Sequence, residues 1–186
     1  MSIKHKWFVQ PEMLVGLSAL IVSLVAVVVS LYSASIDREF ARASVWPRVA
    51  IYRSFNQGVN DNEASNFSYG VSNNGTGPAL IKYAKVSYKD KVYQSWQSMI
   101  RDSNIATQLN LSQSHISTSV LPATHVINAF STRDPHLVGE LLNHDAHIQI
   151  ELCYCSIYDQ CWVSDRTNIP KEVNACYVKE SEAFQQ

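Results

Sequence analysis

An uncharged apolar run from Met13 to Ala34 restricts what this chain can fold into. At 1.5 Å per residue in a helix, the run is about 33 Å long and crosses a hydrocarbon core of about 30 Å with some tilt. Residues typical of a membrane interface flank it: Lys4, Lys6 and Trp7 before it, and Tyr32, Asp37, Arg38 and Glu39 at and beyond its end. The sequence therefore predicts a short tail over residues 1–12, a transmembrane helix over residues 13–34, and membrane lipid as a partner.

A cleavable signal peptide is the alternative for this run. The apolar part of a signal peptide is usually only about 7–15 residues long and ends at a small-residue cleavage site. Two segments have the composition of such a site: Ser33-Ala34-Ser35 and Ala41-Arg42-Ala43. The length and even apolarity of the run favour an uncleaved anchor.

The small residues of the run recur at steps of three and four, which places them on one stripe of a helix. The stripe consists of Gly16, Ala19, Ser23, Ala26, Ser30 and Ser33. Within lipid no hydrophobic force drives helices together, so close backbone approach at small residues favours their association. We therefore expect a second transmembrane helix as a partner, from another copy of this chain or from a different membrane protein. The alternative is that small residues are simply common in membrane helices.

All four cysteines of the chain lie near its C-terminus, at Cys153, Cys155, Cys161 and Cys176. An even, clustered set indicates a disulfide framework formed in an oxidising compartment. Cys153 and Cys155 share one face of a strand, and a connection over residues 156–160 brings Cys161 opposite Cys155. We predict a Cys155–Cys161 bond across this hairpin and a Cys153–Cys176 bond to the C-terminal tail. A zinc site is the alternative, but the usual Cys-x2-Cys pairs are missing.

The charges around the apolar run leave its orientation open. Lys4 and Lys6 precede the run, and three arginines follow it: Arg38, Arg42 and Arg48. Because the side with more basic residues tends to stay in the cytoplasm, this distribution slightly disfavours an exported C-terminus. The predicted disulfides favour export, and we expect the C-terminal domain to lie outside the cytoplasm.

Beyond the run, the sequence predicts a helical stem and then one domain. Residues 35–46 continue the helix and end before Pro47, because proline disfavours a helix in the residue that precedes it. Residues 47–186 suffice for one hydrophobic core. Their short alternating segments favour a mainly β fold: an antiparallel immunoglobulin-like β-sandwich with one or two short helical insertions. A barrel is the alternative.

Alternation of apolar and polar residues predicts strands at 45–54, 67–72, 79–88, 91–96, 116–121, 126–130 and 146–157. The strand at 79–88 should align four residues along one face: Leu80, Ala84, Val86 and Tyr88. Lys89 and Asp90 should form the turn of a hairpin. Helices are predicted at 96–109 and 134–143, the second with Pro135 in its first turn.

The most distinctive local motif of the domain is Asn73-Asn74-Gly75-Thr76-Gly77-Pro78-Ala79. It predicts a tight, bulged turn between two strands, in which the glycines can take positive φ and Pro78 fixes entry into the next strand. Glycine-rich loops also cradle phosphates. Here, however, no helix N-terminus follows and no Lys-Ser/Thr pair completes a P-loop.

Together with Ser44-Val45-Trp46-Pro47 after the apolar run, this motif resembles a group of small bacterial single-span membrane proteins of unknown function. Members share a Ser-Val-x-Pro junction and an Asn-x-Gly-x-Gly-Pro-Ala turn ahead of a β domain. The resemblance covers about the first half of the chain. It implies a membrane-tethered β domain. Together with the predicted disulfides, it leads us to expect a bacterial inner membrane location with the domain in the periplasm. It transfers no activity and no catalytic residue.

The sequence contains no convincing catalytic, cofactor-binding or metal-binding constellation, and we expect no cofactor. His144 and His147 are three apart and would face opposite sides of a strand, so scattered surface histidines are favoured, with His115, His125 and His136. Two acidic residues flank the cysteine hairpin and are interpreted as solvated: Asp159 and Asp165. A net charge of −1 without a basic cluster argues against a nucleic-acid partner.

Three functions remain, and a non-catalytic one is favoured. The first is a membrane-anchored extracytoplasmic interaction module, such as an accessory subunit of a membrane protein assembly. The second is a tethered sensor or small-ligand-binding domain, with a pocket near Tyr69, Tyr83, Tyr93 and Trp96, although core packing explains these aromatics more simply. The third, and least favoured, is a metal-dependent hydrolase that uses the histidines.

Overall fold

The structure is a computed structural model that describes residues 11–56, 65–108 and 110–185. The chain divides into two units, of which the first ends at Ala43 and the second begins at Ser44. Residues 1–10 of the predicted tail, which include Lys4, Lys6 and Trp7, lie outside the described residues. The two units are described separately below.

The first unit consists of one long helix, α1 (Pro11–Ser44). It is helical throughout the predicted span and most of the predicted stem, and it ends two residues before the predicted boundary at Trp46. The helix is long and apolar enough to cross a membrane. Within the small-residue stripe, the Ser23 and Ser30 hydroxyls donate hydrogen bonds to carbonyls of the preceding turn, each at 2.8 Å. These hydroxyls are therefore satisfied inside the helix without a partner.

The second unit contains two antiparallel sheets. The strands are β1 (Val49–Asn56), β2 (Asn66–Asn73), β3 (Ala79–Tyr88), β4 (Lys91–Tyr93), β5 (Leu111–Gln113), β6 (Val120–Leu121), β7 (Val126–Thr132), β8 (Ile148–Cys155), β9 (Cys161–Asp165) and β10 (Lys171–Val173). One sheet has the strand order β1-β2-β7-β5, and the other has the order β10-β9-β8-β3-β4 with β6 also paired to β3. With helices α2 (Trp96–Asp102) and α3 (Pro135–His144), the mainly β, antiparallel fold is confirmed.

Both sheets contribute to one hydrophobic core. Its centre is a group of aromatic rings from β2, β7, α2 and the C-terminal segment: Phe67, Tyr69, Phe130, Trp96 and Phe184. The Tyr69 and Trp96 rings stack with centroids 5.7 Å apart. Phe184 brings the C-terminal segment into the core, where its backbone N–H donates to the Ala84 carbonyl at 2.9 Å. The C-terminal segment is therefore an integral part of the domain.

Strand β3 has the predicted bounds, but one face was predicted wrongly. A β-bulge between Ile81 and Tyr83 inserts an extra residue opposite β8 and reverses the alternation. As a result Ala84, Val86 and Tyr88 share the buried face with Ile81, whereas Leu80 is only half-buried. Lys89 and Asp90 both adopt positive φ and form the two-residue turn of the predicted hairpin.

Helix α2 is shorter than predicted because a C-terminal cap ends it. Asn104 adopts φ 53°, and the N–H groups of Asn104 and Ile105 donate to the carbonyls of Arg101 and Ile100. This left-handed cap is the Schellman arrangement. Leu109, the last residue of the predicted helix, lies outside the described residues. The strand predicted at 116–121 is reduced to β6, and β5 and β10 were not predicted.

Candidate functional site

The distinctive glycine motif connects two successive strands, as predicted, and these strands belong to different sheets. It leads from β2 in the four-stranded sheet to β3 in the six-stranded sheet. Its first residue, Asn73, is fully buried. The Asn73 amide oxygen accepts from the N–H groups of Arg48 (3.1 Å) and Gly75 (3.0 Å), and its NH2 donates to the carbonyls of Gly77 (2.8 Å), Leu121 (3.1 Å) and Pro122 (3.2 Å). One neutral side chain thereby holds three chain segments together.

The motif's glycines are required by close backbone approach, and the expectation of positive φ was wrong. None of the glycines in the described residues has positive φ. A Cβ on Gly77 would lie 1.9 Å from the Val45 carbonyl oxygen, and one on Gly75 would lie 2.3 Å from the Trp46 carbonyl oxygen. The Ser-Val-Trp-Pro segment and the glycine motif therefore form one packed junction, which has a structural role at the start of the domain.

A buried ionic cluster lies near the opposite end of the strands, around Asp145. Its carboxylate accepts hydrogen bonds from the Tyr69 hydroxyl, from Arg53, and from Arg166 at 2.8 and 2.9 Å. Arg166 also donates to the backbone carbonyls of Asp145 and Ile148. Because each polar group of the carboxylate is satisfied, the cluster is a structural tie between β1, β2 and the turn after β9.

The surroundings shift the pKa values of this cluster in opposite directions. Burial raises the pKa of the Asp145 carboxyl, but the hydrogen bonds from Tyr69 and Arg166 and the charges of Arg166 and Arg53 outweigh it, so the pKa lies below its usual value. Burial and the neighbouring carboxylate raise the pKa of the Tyr69 hydroxyl. The tyrosine therefore stays a hydrogen-bond donor and the aspartate stays ionised.

The histidines flanking Asp145 are not scattered as predicted, because two of them meet at one ring. His144 Nδ1 and the Tyr88 hydroxyl are 2.7 Å apart, and the His147 ring packs edge-on against Tyr88 at 6.0 Å. The other three, His115, His125 and His136, are exposed on separate elements. Within the described residues, the one His, Cys, Asp or Glu group close enough to share a metal ion is Cys155, Cys161 and Cys176.

The two acidic residues that flank the cysteine hairpin, Asp159 and Asp165, both lie at turns. Asp159 has φ 59° in the connection between β8 and β9. Asp165 accepts the Thr167 N–H at 2.8 Å, and hydrogen bonds from Thr167 hold the pKa of its carboxyl below the usual value. This turn positions Asn168, whose side chain bonds to the Ile51 N–H (2.8 Å) and carbonyl (3.0 Å) and covers the edge of β1.

The four cysteines form the two expected pairs. Cys153 is bonded to Cys176, and Cys155 is bonded to Cys161 directly across the β8–β9 hairpin. The connection between these strands spans residues 156–160, as predicted. Because Cys153 and Cys155 alternate with core residues of β8, both bonds lie on the outer side of the six-stranded sheet.

The four aromatic residues named for the ligand-binding alternative lie in the core or make separate hydrogen bonds. Tyr69 and Trp96 stack within the core, and each is no more than 1% exposed. Tyr83 donates to Glu151 at 3.0 Å on the outer side of the six-stranded sheet, and Tyr93 pairs with Ser103 at 3.3 Å. Core packing and separate hydrogen bonds account for these four residues, which is the explanation that the sequence favoured.

A polar surface on the outer side of the four-stranded sheet was missed by the sequence analysis. We call it the Tyr52 face; it consists of Tyr52, Ser54, Asn66, Ser68, Asn128, Ser131 and Arg133. These residues come from β1, β2, β7 and, for Arg133, the position directly after β7, and they line a depression of about 410 Å³. A second depression, of about 500 Å³, adjoins it through Ser131 and Arg133. Strand alternation places the side chains that belong to β1, β2 and β7 away from the core.

Tyr52 lies flat across the sheet because its neighbour is a glycine. A Cβ on Gly70 would lie 2.2 Å from the Tyr52 ring, so only glycine leaves room for the ring in this position. Its hydroxyl donates to the Asn128 side-chain oxygen at 2.7 Å. The ring and the amide are thus held in place across three strands, which limits the entropy lost when another molecule binds.

The charge of the Tyr52 face is also distinctive. No Asp or Glu is among the described residues that line the two depressions, and Arg133 is exposed. Arg133 makes no ion pair with any other described residue. The face therefore offers hydroxyls, amides, one aromatic ring and one positive charge.

Comparison of the chain with protein-family models, with curated proteins and with solved structures gives no match. The candidate surfaces above rest on this chain's own residues.

Proposed function

We propose that this chain is a membrane-anchored, non-catalytic interaction module that presents the Tyr52 face to a protein partner outside the cytoplasm. One observation carries the proposal: a surface of Tyr, Ser and Asn residues on the outer side of a sheet, with the Tyr52 ring held in place over Gly70. This composition is that of antibody paratopes, in which tyrosine supplies rigid contact area and short polar residues supply adaptable hydrogen bonds.

The partner that fits is a polar protein surface carrying a carboxylate. Arg133 is the charge on the face, and no acidic residue in the described lining competes for it. A partner carboxylate opposite Arg133 would form a charge-assisted hydrogen bond, and the hydroxyls and amides would pair with polar groups around it.

The anchor in this proposal is α1, inserted in a bacterial inner membrane with the domain in the periplasm. The helix length and the two disulfides support this placement, as does the resemblance to single-span proteins with the same junction and turn. The domain is proposed to be an immunoglobulin-like sandwich, which the two antiparallel sheets around one core support.

A photo-crosslinking residue tests the proposed surface directly. Placed at the Ser54 position on the exposed part of the Tyr52 face, it should give a discrete protein adduct in native membranes. The matched control places the same residue at Ser87, on the outer side of β3. Only monomer at Ser54, or the same adduct from both positions, would contradict the proposal.

The small-residue stripe of α1 is proposed to contact a second transmembrane helix. Replacing Ser23→Leu and Ala26→Leu adds bulk on the stripe and should loosen that contact while insertion is retained. The matched control is Val25→Leu with Val28→Leu, on the side of the helix away from the stripe. Crosslinked oligomer or complex should fall with the stripe variant alone, and unchanged association would refute this role of the stripe.

A further inference from the structure

The two disulfides on the outer side of the six-stranded sheet are in contact with each other. Cys155 Sγ lies 3.7 Å from Cys176 Sγ, although these atoms belong to different disulfides. The Sγ atoms of Cys155, Cys161 and Cys176 all lie within 4.8 Å of one another. A disulfide rearranges when a thiolate attacks one of its sulfur atoms, and this step requires such an approach.

We propose that the four cysteines form a thiol–disulfide exchange site in which Cys176 changes its partner from Cys153 to Cys155. The reacting molecule is an external dithiol, from a small molecule or a partner protein. This activity goes beyond the interaction module and does not depend on the Tyr52 face.

The fold suits both pairings of Cys176. Cys153 and Cys155 are two residues apart on the same side of β8, a separation of about 7 Å along a strand. Cys176 lies in the irregular segment after β10, where its neighbours Ala175 and Tyr177 are exposed. Cys176 is itself half-buried, whereas the other three cysteines are buried. The short shift between the two partners is thus made by the less constrained segment.

The exchange begins with attack by one thiolate of the dithiol on Cys161 Sγ. The Cys155–Cys161 bond breaks, a mixed disulfide forms on Cys161, and the electron pair leaves on Cys155 Sγ. The Cys155 thiolate then attacks Cys176 Sγ, so that a Cys155–Cys176 bond replaces the Cys153–Cys176 bond. The electron pair leaves on Cys153 Sγ, which takes a proton from water.

The second thiol of the dithiol completes the reaction. It attacks the mixed disulfide at its own sulfur, closes the oxidised dithiol and releases Cys161 as a thiolate. The dithiol loses two electrons, and the protein gains them as the thiols of Cys153 and Cys161. One protein disulfide, Cys155–Cys176, remains.

A three-cysteine variant isolates the internal step. In full-length Cys161→Ser, purified in detergent and held at pH 8, Cys155 is a thiol beside the Cys153–Cys176 bond. After acid quenching and alkylation, chymotrypsin cleaves after Tyr154 and separates Cys153 from Cys155, so mass spectrometry distinguishes the isomers. We expect Cys153–Cys176 and Cys155–Cys176 peptides within about tenfold of each other. Recovery of Cys153–Cys176 alone, with Cys155 fully alkylated, would overturn the proposal.

Two further measurements control this result. Cys155→Ser has the same number of cysteines but lacks the attacking sulfur, and should retain Cys153–Cys176; an equal yield of Cys161–Cys176 there would overturn the role of Cys155. In the unsubstituted chain, one equivalent of dithiothreitol should produce the Cys155–Cys176 peptide before full reduction. Loss of both original bonds without that peptide would contradict the exchange.

Discussion

The two sheets share one core but differ on their outer sides. The outer side of the six-stranded sheet is covered by the C-terminal segment, through the Cys153–Cys176 bond and an ion pair between Lys85 and Glu182 at 2.6 Å. The outer side of the four-stranded sheet carries the Tyr52 face, which is open and contains a single charge. In our proposal, the chain uses one side for its own stability and presents the other side to a second molecule.

The predictions that follow test this contrast. Substitutions that affect the shared interior should weaken both sides, and those on the covered side should change stability alone. Those on the Tyr52 face should change binding with only a small change in stability. They run from the largest expected effect on the free energy of unfolding to the smallest. Unfolding is measured on the full-length protein in a non-ionic detergent, and crosslinking is measured in native membranes.

The largest effect is expected from Asp145→Asn, which removes the one carboxylate between two arginines. Breaking a buried ion pair from one side costs about 3–5 kcal/mol, and we expect about 3 kcal/mol because Arg53 and Arg166 are partly exposed. Urea unfolding followed by tryptophan fluorescence measures the change. A loss under 1 kcal/mol would mean that the cluster does not tie the sheets together.

Acid should reproduce part of this effect in the unsubstituted protein. The pKa of the Asp145 carboxyl is lower in the folded state, so its contribution is present above the unfolded pKa of about 3.9 and is lost as the pH falls through the folded value. We expect the free energy of unfolding to fall below about pH 4, and to fall less steeply in Asp145→Asn. Parallel slopes would assign the acid sensitivity to other groups.

The next largest effect is expected from removing the covalent tie on the covered side. Cys153→Ser with Cys176→Ser opens a loop with a sequence separation of 23, which the chain-entropy model values at about 3 kcal/mol. Cys155→Ser with Cys161→Ser, with a separation of 6, should cost about 2 kcal/mol. Partner crosslinking from Ser54 should persist in both variants, and its loss would break the contrast between the two sides.

A smaller effect is expected from Gly70→Ala beneath the Tyr52 ring. The added methyl group must displace the ring and its hydrogen bond to Asn128, which costs about 1 kcal/mol. Gly139→Ala in α3 is the matched control, because nothing lies within 4 Å of its Cβ, and it should raise stability by about 0.5–1 kcal/mol. A stable Gly70→Ala protein with unchanged partner crosslinking would show that the ring position does not matter.

Local patterns in the sequence predicted much of the framework. Alternation located β3 with its bounds, and cysteine spacing predicted both disulfides. Where a single residue altered the alternation, the prediction failed: the bulge in β3 moved Leu80 off the predicted face. Asn104 was a readable signal for the end of α2, because asparagine favours the left-handed cap, but it was overlooked.

The candidate surface could not be predicted in the same way, because it depends on which strands become neighbours. Tyr52, Ser68 and Ser131 belong to three strands, and β7 is separated from β2 by more than 50 residues of sequence. The same holds for the ionic cluster. In the segment His144-Asp145-Ala146-His147, the sequence drew attention to the two histidines. In the structure it is the Asp145 carboxylate that joins separate strands, because it binds Arg53 and Tyr69, which are distant in sequence.

The central claim is most directly tested by comparing one substitution on each outer side. Ser131→Glu places a negative charge beside Arg133 on the Tyr52 face, and Ser87→Glu makes the same change on β3 of the other sheet. Each should change the free energy of unfolding by about 1 kcal/mol or less. The measurement is recovery of the Ser54-crosslinked partner from native membranes. The account predicts that recovery falls at least about tenfold in Ser131→Glu and is unchanged in Ser87→Glu, whereas equal recovery from both would contradict it.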